Sequence, residues 1–381
     1  MNTLSVRFTP VALAQRSTRL LFLLAGLAAA AWASLVPFAK LRGDLDEGVL
    51  GLVLLCLGGG SIVSMPIAGA LSTRYGCRTV LTVSSLLLCA TLPLLAIVST
   101  VPLLAIMLLL FGASLGATDC VMNVQAVIVE RDSGRPLMSG FHGFYSLGGI
   151  VGAAGTSVLM TLGMTPLGST LIAVVAMLVS LTIAYPGSLT FGSPAEGPPF
   201  AVPHGVVLFL GMLCFSVFLA EGAMLDWSAV SLVQQYEMPL SRAGLGYASF
   251  SVAMTTGRFT GDVIVARIGR RAVVAAGGML AAGGLILATA APNWQLALIG
   301  YAFVGLGCSN IVPVFFTAAG RQKTMPQAVA IPALTTLGYA GVLTGPAAIG
   351  FMAHHLGLSA AFLAVAALMV AVAGSSRLLR V

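Results

Sequence analysis

Charge is scarce in this sequence of 381 residues, because only 8% of the residues are Asp, Glu, Lys or Arg. Hydrophobic residues make up 58% of the chain, and the mean hydropathy is +1.03. A soluble protein of this length could not solvate so apolar a surface, which excludes the soluble globular and disordered classes. The composition therefore indicates a protein embedded in a membrane.

Residues typical of metal centres, enzymes and nucleotide-driven pumps are also sparse. The six cysteines are scattered without a CxxC pair, so we expect neither a disulfide framework nor a metal site. The sequence has no Walker A phosphate loop, which argues against ATP as the energy source. No nucleophile stands beside a base, so the sequence predicts a protein that is not an enzyme and has no cofactor.

Long apolar runs fill the chain instead. A transmembrane helix needs about 20 predominantly apolar residues. Runs of this kind cover residues 20–39, 48–71, 79–99, 103–128, 137–160, 167–186, 205–231, 242–265, 272–291, 296–319, 327–352 and 359–376. The first run resembles a secretory signal peptide, but its length favours an uncleaved span. We therefore predict an all-α membrane protein with twelve transmembrane helices.

The basic residues concentrate in alternate loops. If the N-terminus is cytoplasmic, the opposite side receives only Lys40, Arg42 and Arg242. The cytoplasmic side receives Arg7, Arg16, Arg19, Arg74, Arg78, Arg131, Arg135, Arg267, Arg270, Arg271, Arg321, Lys323, Arg377 and Arg380. This asymmetry follows the positive-inside rule and predicts a multi-pass bacterial inner-membrane protein with both termini cytoplasmic. It also explains the net charge of +7 without a nucleic-acid partner, and we expect a monomer in the lipid bilayer.

The sequence repeats itself at a spacing of about 193 residues. The stretch "LSTRYGCR" matches "IVARIGRR", which pairs Arg74 with Arg267, Gly76 with Gly269 and Arg78 with Arg271. Two parallel six-helix repeats are a transporter architecture. We predict an N-terminal six-helix bundle over 1–186, a cytoplasmic linker rich in proline and glycine over 187–204, and a C-terminal six-helix bundle over 205–381.

The loop after the second run resembles the signature of the major facilitator superfamily, G-x-x-x-D-R-x-G-R-R. The matching residues are Gly69, Arg74, Gly76 and Arg78, whereas Thr73 stands where the family has aspartate. The resemblance implies two pseudo-symmetric halves and a cytoplasmic latch in this loop, which we expect to be weakened or rewired by Thr73. In the second copy, Asp262 replaces the first glycine and Arg267 matches Arg74. The alternative is that these arginines only fix the topology.

A narrower resemblance is to the proton-coupled, fucose-permease-like sugar transporters. The matching elements are Asp119 and Asn123 in the fourth run, Glu221 and Trp227 in the seventh, and "FHGFYSLGG" (141–149) in the fifth. The resemblance implies a permease for a sugar-like solute. The first run lacks the carboxylate that these transporters use in coupling, so the match to their carboxylate pair is incomplete.

Acidic residues inside apolar runs are costly and therefore need a reason. Asp119 lies on a helical stripe with Gly112, Gly116 and Asn123, which we expect to face a wet cavity. Asp119 and Glu221 are the main candidates for proton coupling, against the alternative of buried acids that hydrogen-bond neighbouring helices. Asp226 is a third candidate, although a regular helix would turn it about 140° away from Glu221, and its alternative role is a gate contact.

Other polar and aromatic residues in the runs are candidate substrate or gate contacts. Arg258 and Asp262 are four residues apart and can pair structurally, whereas the sharper alternative is an anion-binding arginine. The candidate substrate contacts are Trp32, Asn123, Tyr145, Trp227 and Asn310. The alternatives are interfacial anchoring for the aromatic residues and helix–helix hydrogen bonding for Asn310.

The sequence as a whole favours a secondary active transporter that moves a small polar solute, sugar-like or a related metabolite, by alternating access. Protons are the expected coupling ion, as in a symporter. The first alternative is a proton-driven exporter of metabolites or drugs. The second is a membrane sensor or scaffold that does not transport, which the short loops disfavour because they offer no surface for a partner.

Overall fold

The computed structural model describes residues 11–45, 47–193, 202–238 and 244–378, and within these ranges the only regular elements are helices. This confirms the predicted all-α class. The helices are α1 (Val11–Arg42), α2 (Glu47–Leu95), α3 (Val101–Ser133), α4 (Met138–Thr161), α5 (Pro166–Ala184), α6 (Gly205–Tyr236), α7 (Leu245–Ile268), α8 (Arg270–Ala290), α9 (Trp294–Cys308), α10 (Ile311–Arg321), α11 (Gln327–Leu356) and α12 (Leu358–Ser375). Short 3₁₀ turns follow α5 and α12. Residues 194–201 of the predicted linker lie outside the described residues.

Ten helical segments of the described chain are long and apolar enough to cross a membrane. One of them, Leu52–Leu95, is interrupted at Gly76, where the backbone leaves the helical region. This break separates the predicted runs 48–71 and 79–99. Another, Trp294–Arg321, combines α9 and α10, which are separated only by a turn at 309–310.

Two glycines that the sequence repeat pairs adopt the same unusual backbone conformation. Gly76 has φ 81° and ψ 157°, and Gly269 has φ 81° and ψ 159°. Glycine reaches this region without the steric cost that a Cβ imposes. Gly163 and Gly357, also about one repeat apart, share a positive φ of 91° and 85°. The repeat therefore extends to backbone geometry at two separate turns.

The described residues divide into two compact units. The first contains the chain up to Arg135 and from Leu147 to residue 193, and the second contains Pro136–Ser146 and the chain from residue 202 onward. Helix α4 thus contributes its first residues to the second unit and its remainder to the first. The sequence repeat gave no indication of this division within one helix.

In the first unit, α2 packs along α3 through glycines and a serine. A Cβ on Gly112 would lie 2.0 Å from the carbonyl oxygen of Leu57, and one on Gly116 would lie 2.6 Å from the Cα of Ser61. The Ser61 hydroxyl donates a hydrogen bond of 2.8 Å to the carbonyl of Gly112. The expectation that Gly112 and Gly116 face a wet cavity is therefore wrong, because both glycines serve close helix packing.

The second unit uses the same principle of close approach. Helix α6 packs along α11, where a Cβ on Gly341 would lie 2.3 Å from the carbonyl oxygen of Phe215. Helices α8 and α9 meet at Gly284 and Gly300, each of which faces the carbonyl of the other. Small residues let the backbones approach closely, so dispersion contacts stabilise the helix pairs where lipid offers no hydrophobic driving force.

Candidate functional site

The first unit places Asp119 and Asn123 on the buried part of α3. Asp119 is 8% exposed and Asn123 is 1% exposed. The Asn123 amide donates a hydrogen bond of 2.9 Å to the backbone carbonyl of Asp119. Among the residues that the structure describes, the Asn123 carbonyl oxygen has no hydrogen-bond partner. Because a buried acceptor without a partner is costly, Asn123 is suited to bind a donor group of a ligand.

The second unit holds a buried ion pair between α6 and α7. Nη2 of Arg258 lies 3.6 Å from Oε2 of Glu221, and the two side chains are 7% and 16% exposed. Nη1 of Arg258 donates a hydrogen bond of 2.7 Å to the Ser146 hydroxyl on α4. Within the described chain, Oε1 of Glu221 and Nε of Arg258 have no hydrogen-bond partner. The pair therefore keeps one acceptor and one donor for a further group.

Asp262 is placed one helical turn beyond Arg258 on α7. Its two carboxylate oxygens accept hydrogen bonds of 3.0 Å from the backbone N–H groups of Ser139 and Gly140. These two groups belong to the first turn of α4, where N–H groups have no partner inside the helix. A carboxylate at this position also complements the positive end of the helix dipole. A Cβ on Gly140 would lie 2.6 Å from a carboxylate oxygen, so glycine permits this contact.

The sequence spacing suggested a pair between Arg258 and Asp262, but the structure adds partners that the spacing did not indicate. Arg258 pairs with Glu221 and Ser146, and Asp262 caps α4. Ser146 lies inside the stretch "FHGFYSLGG", which the sequence analysis singled out, but its hydrogen bond with Arg258 was not predicted.

Asn310 lies at the turn between α9 and α10, and its side chain packs against Gly257 and Gly261 of α7. Its amide donates to the carbonyl of Gly257 at 3.0 Å, which is the helix–helix role considered for it. A Cβ on Gly261 would lie 1.8 Å from the Asn310 side-chain oxygen. That oxygen has no hydrogen-bond partner among the described residues, so Asn310 also keeps an acceptor.

The remaining candidates are more dispersed. Trp32 on α1 is buried, with 4% exposure, and Tyr145 on α4 is half-buried. Asp226 is exposed on α6. The ring of Trp227 lies against Gly350 of α11, and its buried indole N–H has no partner in the described chain.

The predicted latch loop packs against the chain that follows α5. A Cβ on Gly76 would lie 2.1 Å from the carbonyl oxygen of Thr190. Nε and Nη2 of Arg78 donate hydrogen bonds to the carbonyls of Ser188 at 3.0 Å and Pro186 at 2.8 Å. Gly76 and Arg78 therefore anchor residues 185–193 to the first unit, which the sequence motif did not indicate.

The other residues of the motif make local contacts. The Thr73 hydroxyl donates to the carbonyl of Gly69 at 3.3 Å, one turn earlier in the same helix. Arg74 is exposed and lies over the ring of Tyr75 at 5.1 Å, and Arg267 is also exposed. Exposed basic residues at these positions fit the topological role considered for them.

Replacing Arg78 by alanine is expected to release residues 185–193. Loss of two hydrogen bonds of about 1 kcal/mol each should raise the open population of this segment roughly thirtyfold. Chymotrypsin cleavage after Phe191 would measure it. The matched control is Arg74→Ala in the same loop, which should leave the cleavage rate unchanged; equal rates in both variants would contradict the anchoring role.

Comparison with known proteins gives the family. The chain is 51% identical over 364 residues to an uncharacterized MFS-type transporter of Yersinia pestis, with 95% of both chains covered. It is 31% identical to the membrane protein MosC of Rhizobium meliloti, over 93% of this chain and 87% of MosC. No family model matches the sequence. The identity to these relatives is nevertheless high enough to establish the family. The chain belongs to the major facilitator superfamily of membrane transporters.

Solved structures agree with this fold. The fucose:proton symporter FucP of E. coli superposes with a TM-score of 0.80 at 17% identity, covering 98% of this chain and 99% of FucP. The human organic anion transporter MFSD10 gives a TM-score of 0.78 at 15% identity, with 96% and 99% covered. The Yersinia pestis relative and both structural neighbours are transporters rather than enzymes, and the chain is a multi-pass membrane protein.

Proposed function

We propose that this chain is a secondary active transporter that moves a small polar solute, sugar-like or a related metabolite, across the bacterial inner membrane by alternating access. The observation that carries the proposal is the buried Glu221–Arg258 pair, which keeps a free acceptor and a free donor in a protein of a transporter family. A buried pair of this kind is costly unless further polar contacts satisfy it. A hydroxyl group, which donates and accepts, can satisfy both atoms.

The architecture proposed is twelve transmembrane helices in two pseudo-symmetric halves, with both termini cytoplasmic and the chain acting as a monomer. The shared backbone conformation of Gly76 and Gly269 supports the internal repeat. The positions of the basic residues support the orientation.

Proton coupling is the second part of the proposal. Asp119 and Glu221 are buried carboxylates of the kind that transporters use to bind protons, and Asp226 is the third candidate. FucP, whose fold this chain shares, is a fucose:proton symporter. Asn123, Asn310, Trp32, Tyr145 and Trp227 are the proposed substrate contacts. Asp262 of α7, which caps the first turn of α4, is the proposed main contact of the cytoplasmic gate.

Thermal unfolding of the purified protein across sugars, polyols, organic acids and lipophilic cations tests the solute. A ligand at a hundred times its dissociation constant stabilises the folded state by about 2.7 kcal/mol. This should raise the melting temperature by several degrees, roughly 2–4 °C per kcal/mol. We expect one sugar or polyol class to give the shift, and Asp119→Asn and Glu221→Gln to reduce it.

The matched control for these variants is Asp132→Asn, since the Asp132 side chain is 49% exposed on the end of α3. Shifts confined to lipophilic ions would instead favour the proton-driven exporter. Proteoliposome uptake under an imposed proton gradient then tests coupling. Uptake by Asp119→Asn and Glu221→Gln that equals the wild-type rate would contradict the proton-coupled mechanism.

A further inference from the structure

Arg258 joins three helices at one buried point. Its guanidinium contacts Glu221 of α6 through Nη2 and Ser146 of α4 through Nη1. The two contacts are unequal, because the bond to Ser146 measures 2.7 Å and the contact to Glu221 measures 3.6 Å. A charge-assisted hydrogen bond to a carboxylate is normally about 2.7–2.9 Å long. The ion pair is therefore held loosely, while the tie to α4 is short.

The same guanidinium lies one turn from a second tie between α7 and α4. Asp262, four residues after Arg258, accepts hydrogen bonds from Ser139 and Gly140 at the start of α4. Residues four apart lie on the same face of a helix. The segment Pro136–Ser146, which includes the first turns of α4, is thus tied to α7 near its start and at its end. The tie at Ser146 depends on Arg258, which also faces Glu221.

A buried guanidinium that loses its counter-charge is strongly destabilised. If Glu221 becomes neutral, Arg258 still has its hydrogen bond to the Ser146 hydroxyl. One neutral hydroxyl group cannot compensate a buried positive charge. The side chain is then driven toward water or another anion. Either movement breaks the bond to Ser146 and loosens α4 from α7.

The other titratable groups around the pair come from every helix packed against it. His142 lies on α4, where its ring is 5.7 Å from that of Phe316. Four more residues interact electrostatically with the pair or lie on the helices that carry it, and these are Cys214 and Asp226 of α6, Tyr247 of α7 and Cys308 of α9. Helix α11 adds Tyr339 beside Phe218 and carries His354 and His355 in its last turn. Helix α10 ends in Arg321, and α12 has no titratable residue. Among these groups, Glu221 is the carboxylate that faces Arg258.

We propose that Arg258 is a positioning residue that transmits the charge state of Glu221 to the contact between α7 and the first residues of α4. Neutralising Glu221 releases Arg258 from Ser146 and frees that end of α4, while Asp262 still holds its first turn. The inference rests on the proposed function, in which the α4–α7 contact belongs to the gate and Glu221 to the proton and solute site.

Hydrogen–deuterium exchange of the full chain in lipid nanodiscs, without any solute, tests the coupling. Glu221→Gln keeps the shape of the side chain and removes its charge. We expect amide exchange in residues 142–147 to rise about tenfold, the effect of losing one hydrogen bond. The matched control is Glu237→Gln, the same change at an exposed position directly after α6, which should leave this segment unchanged.

The Ser146→Ala variant makes the test specific to the proposed route. It should raise exchange of the same segment by itself, and adding Glu221→Gln should then have no further effect. The inference is overturned if Glu221→Gln leaves the segment unchanged, or if its effect is equally large in the Ser146→Ala background. Ser146→Ala removes only one hydroxyl group, so this double-mutant cycle of Glu221→Gln and Ser146→Ala stays informative even if an Arg258 variant fails to fold.

The outcome is separable from that of the proposed function. Exchange is measured without solute, so a failed solute screen combined with a positive cycle would leave the Arg258 coupling standing and remove the sugar-like substrate. Solute-dependent stabilisation combined with a negative cycle would support transport and remove Arg258 as the connecting residue.

Discussion

Replacing Gly112 by alanine is expected to destabilise the first unit by at least about 3 kcal/mol, the upper part of the range for overpacked sites. The added Cβ would lie 2.0 Å from the carbonyl oxygen of Leu57 and 2.6 Å from its carbonyl carbon. Both are backbone atoms of α2, so no side-chain rotation relieves the clash. The two helices must separate, and the reciprocal close contact of Gly60 with Leu109 is lost with them.

The measurement is the melting temperature of the purified protein in the same detergent, followed by tryptophan fluorescence. At roughly 2–4 °C per kcal/mol, the expected decrease is about 6–12 °C. Gly155→Ala on α4 is the matched control, because a Cβ there meets nothing within 4 Å, and it should leave the melting temperature unchanged or slightly higher. Equal melting temperatures for the two variants would refute the packing role.

Replacing Asp262 by alanine is expected to free the start of α4. The carboxylate supplies the partners of two first-turn N–H groups, and hydrogen bonds to a charged group each contribute about 1.5–3 kcal/mol. Their loss should accelerate exchange of the Ser139 and Gly140 amides by at least roughly a hundredfold. Asp262→Asn should have an intermediate effect, because an amide offers only one acceptor atom to the two donors.

Exchange measured by mass spectrometry with short peptides over residues 136–146 resolves this prediction. Gly140→Ala should reproduce the effect, since its Cβ would lie 2.6 Å from the Asp262 carboxylate. Asp132→Asn, a change of the same kind at an exposed position, is the control. Unchanged exchange in Asp262→Ala would mean that other contacts hold α4, and Asp262 would then not be the gate contact.

The helices were predictable because the bilayer imposes a simple rule on the sequence. Each spanning segment must be continuously apolar and satisfy its own backbone, so apolar runs correspond closely to helices such as α3, α6 and α8. The break in α2 was also predictable, because Gly76 belongs to a motif and has a matched partner in Gly269. The turn between α9 and α10 was not predictable, since the run 296–319 is predominantly apolar on both sides of Ser309 and Asn310.

The sequence indicated which polar residues lie within apolar helices, but not which residues they pair with. Burial of a carboxylate is so costly that Asp119 and Glu221 are conspicuous in the sequence alone. Which partner each residue meets depends on how separate helices are rotated and shifted, and this leaves no periodic signal. The spacing of Arg258 and Asp262 therefore suggested that they pair with each other. The structure adds Glu221 as a partner of Arg258, and the first-turn N–H groups of α4 as partners of Asp262.

The division of α4 has a consequence for separating the protein into two polypeptides. Cutting the chain between residues 194 and 201, the natural choice from its two repeats, would leave Pro136–Ser146 on the N-terminal piece. The C-terminal piece would then retain Arg258 and Asp262 without the groups of α4 that they bind. Two such pieces would each be incomplete alone, and restoring the native contacts of the second unit would require both to be present in the same membrane.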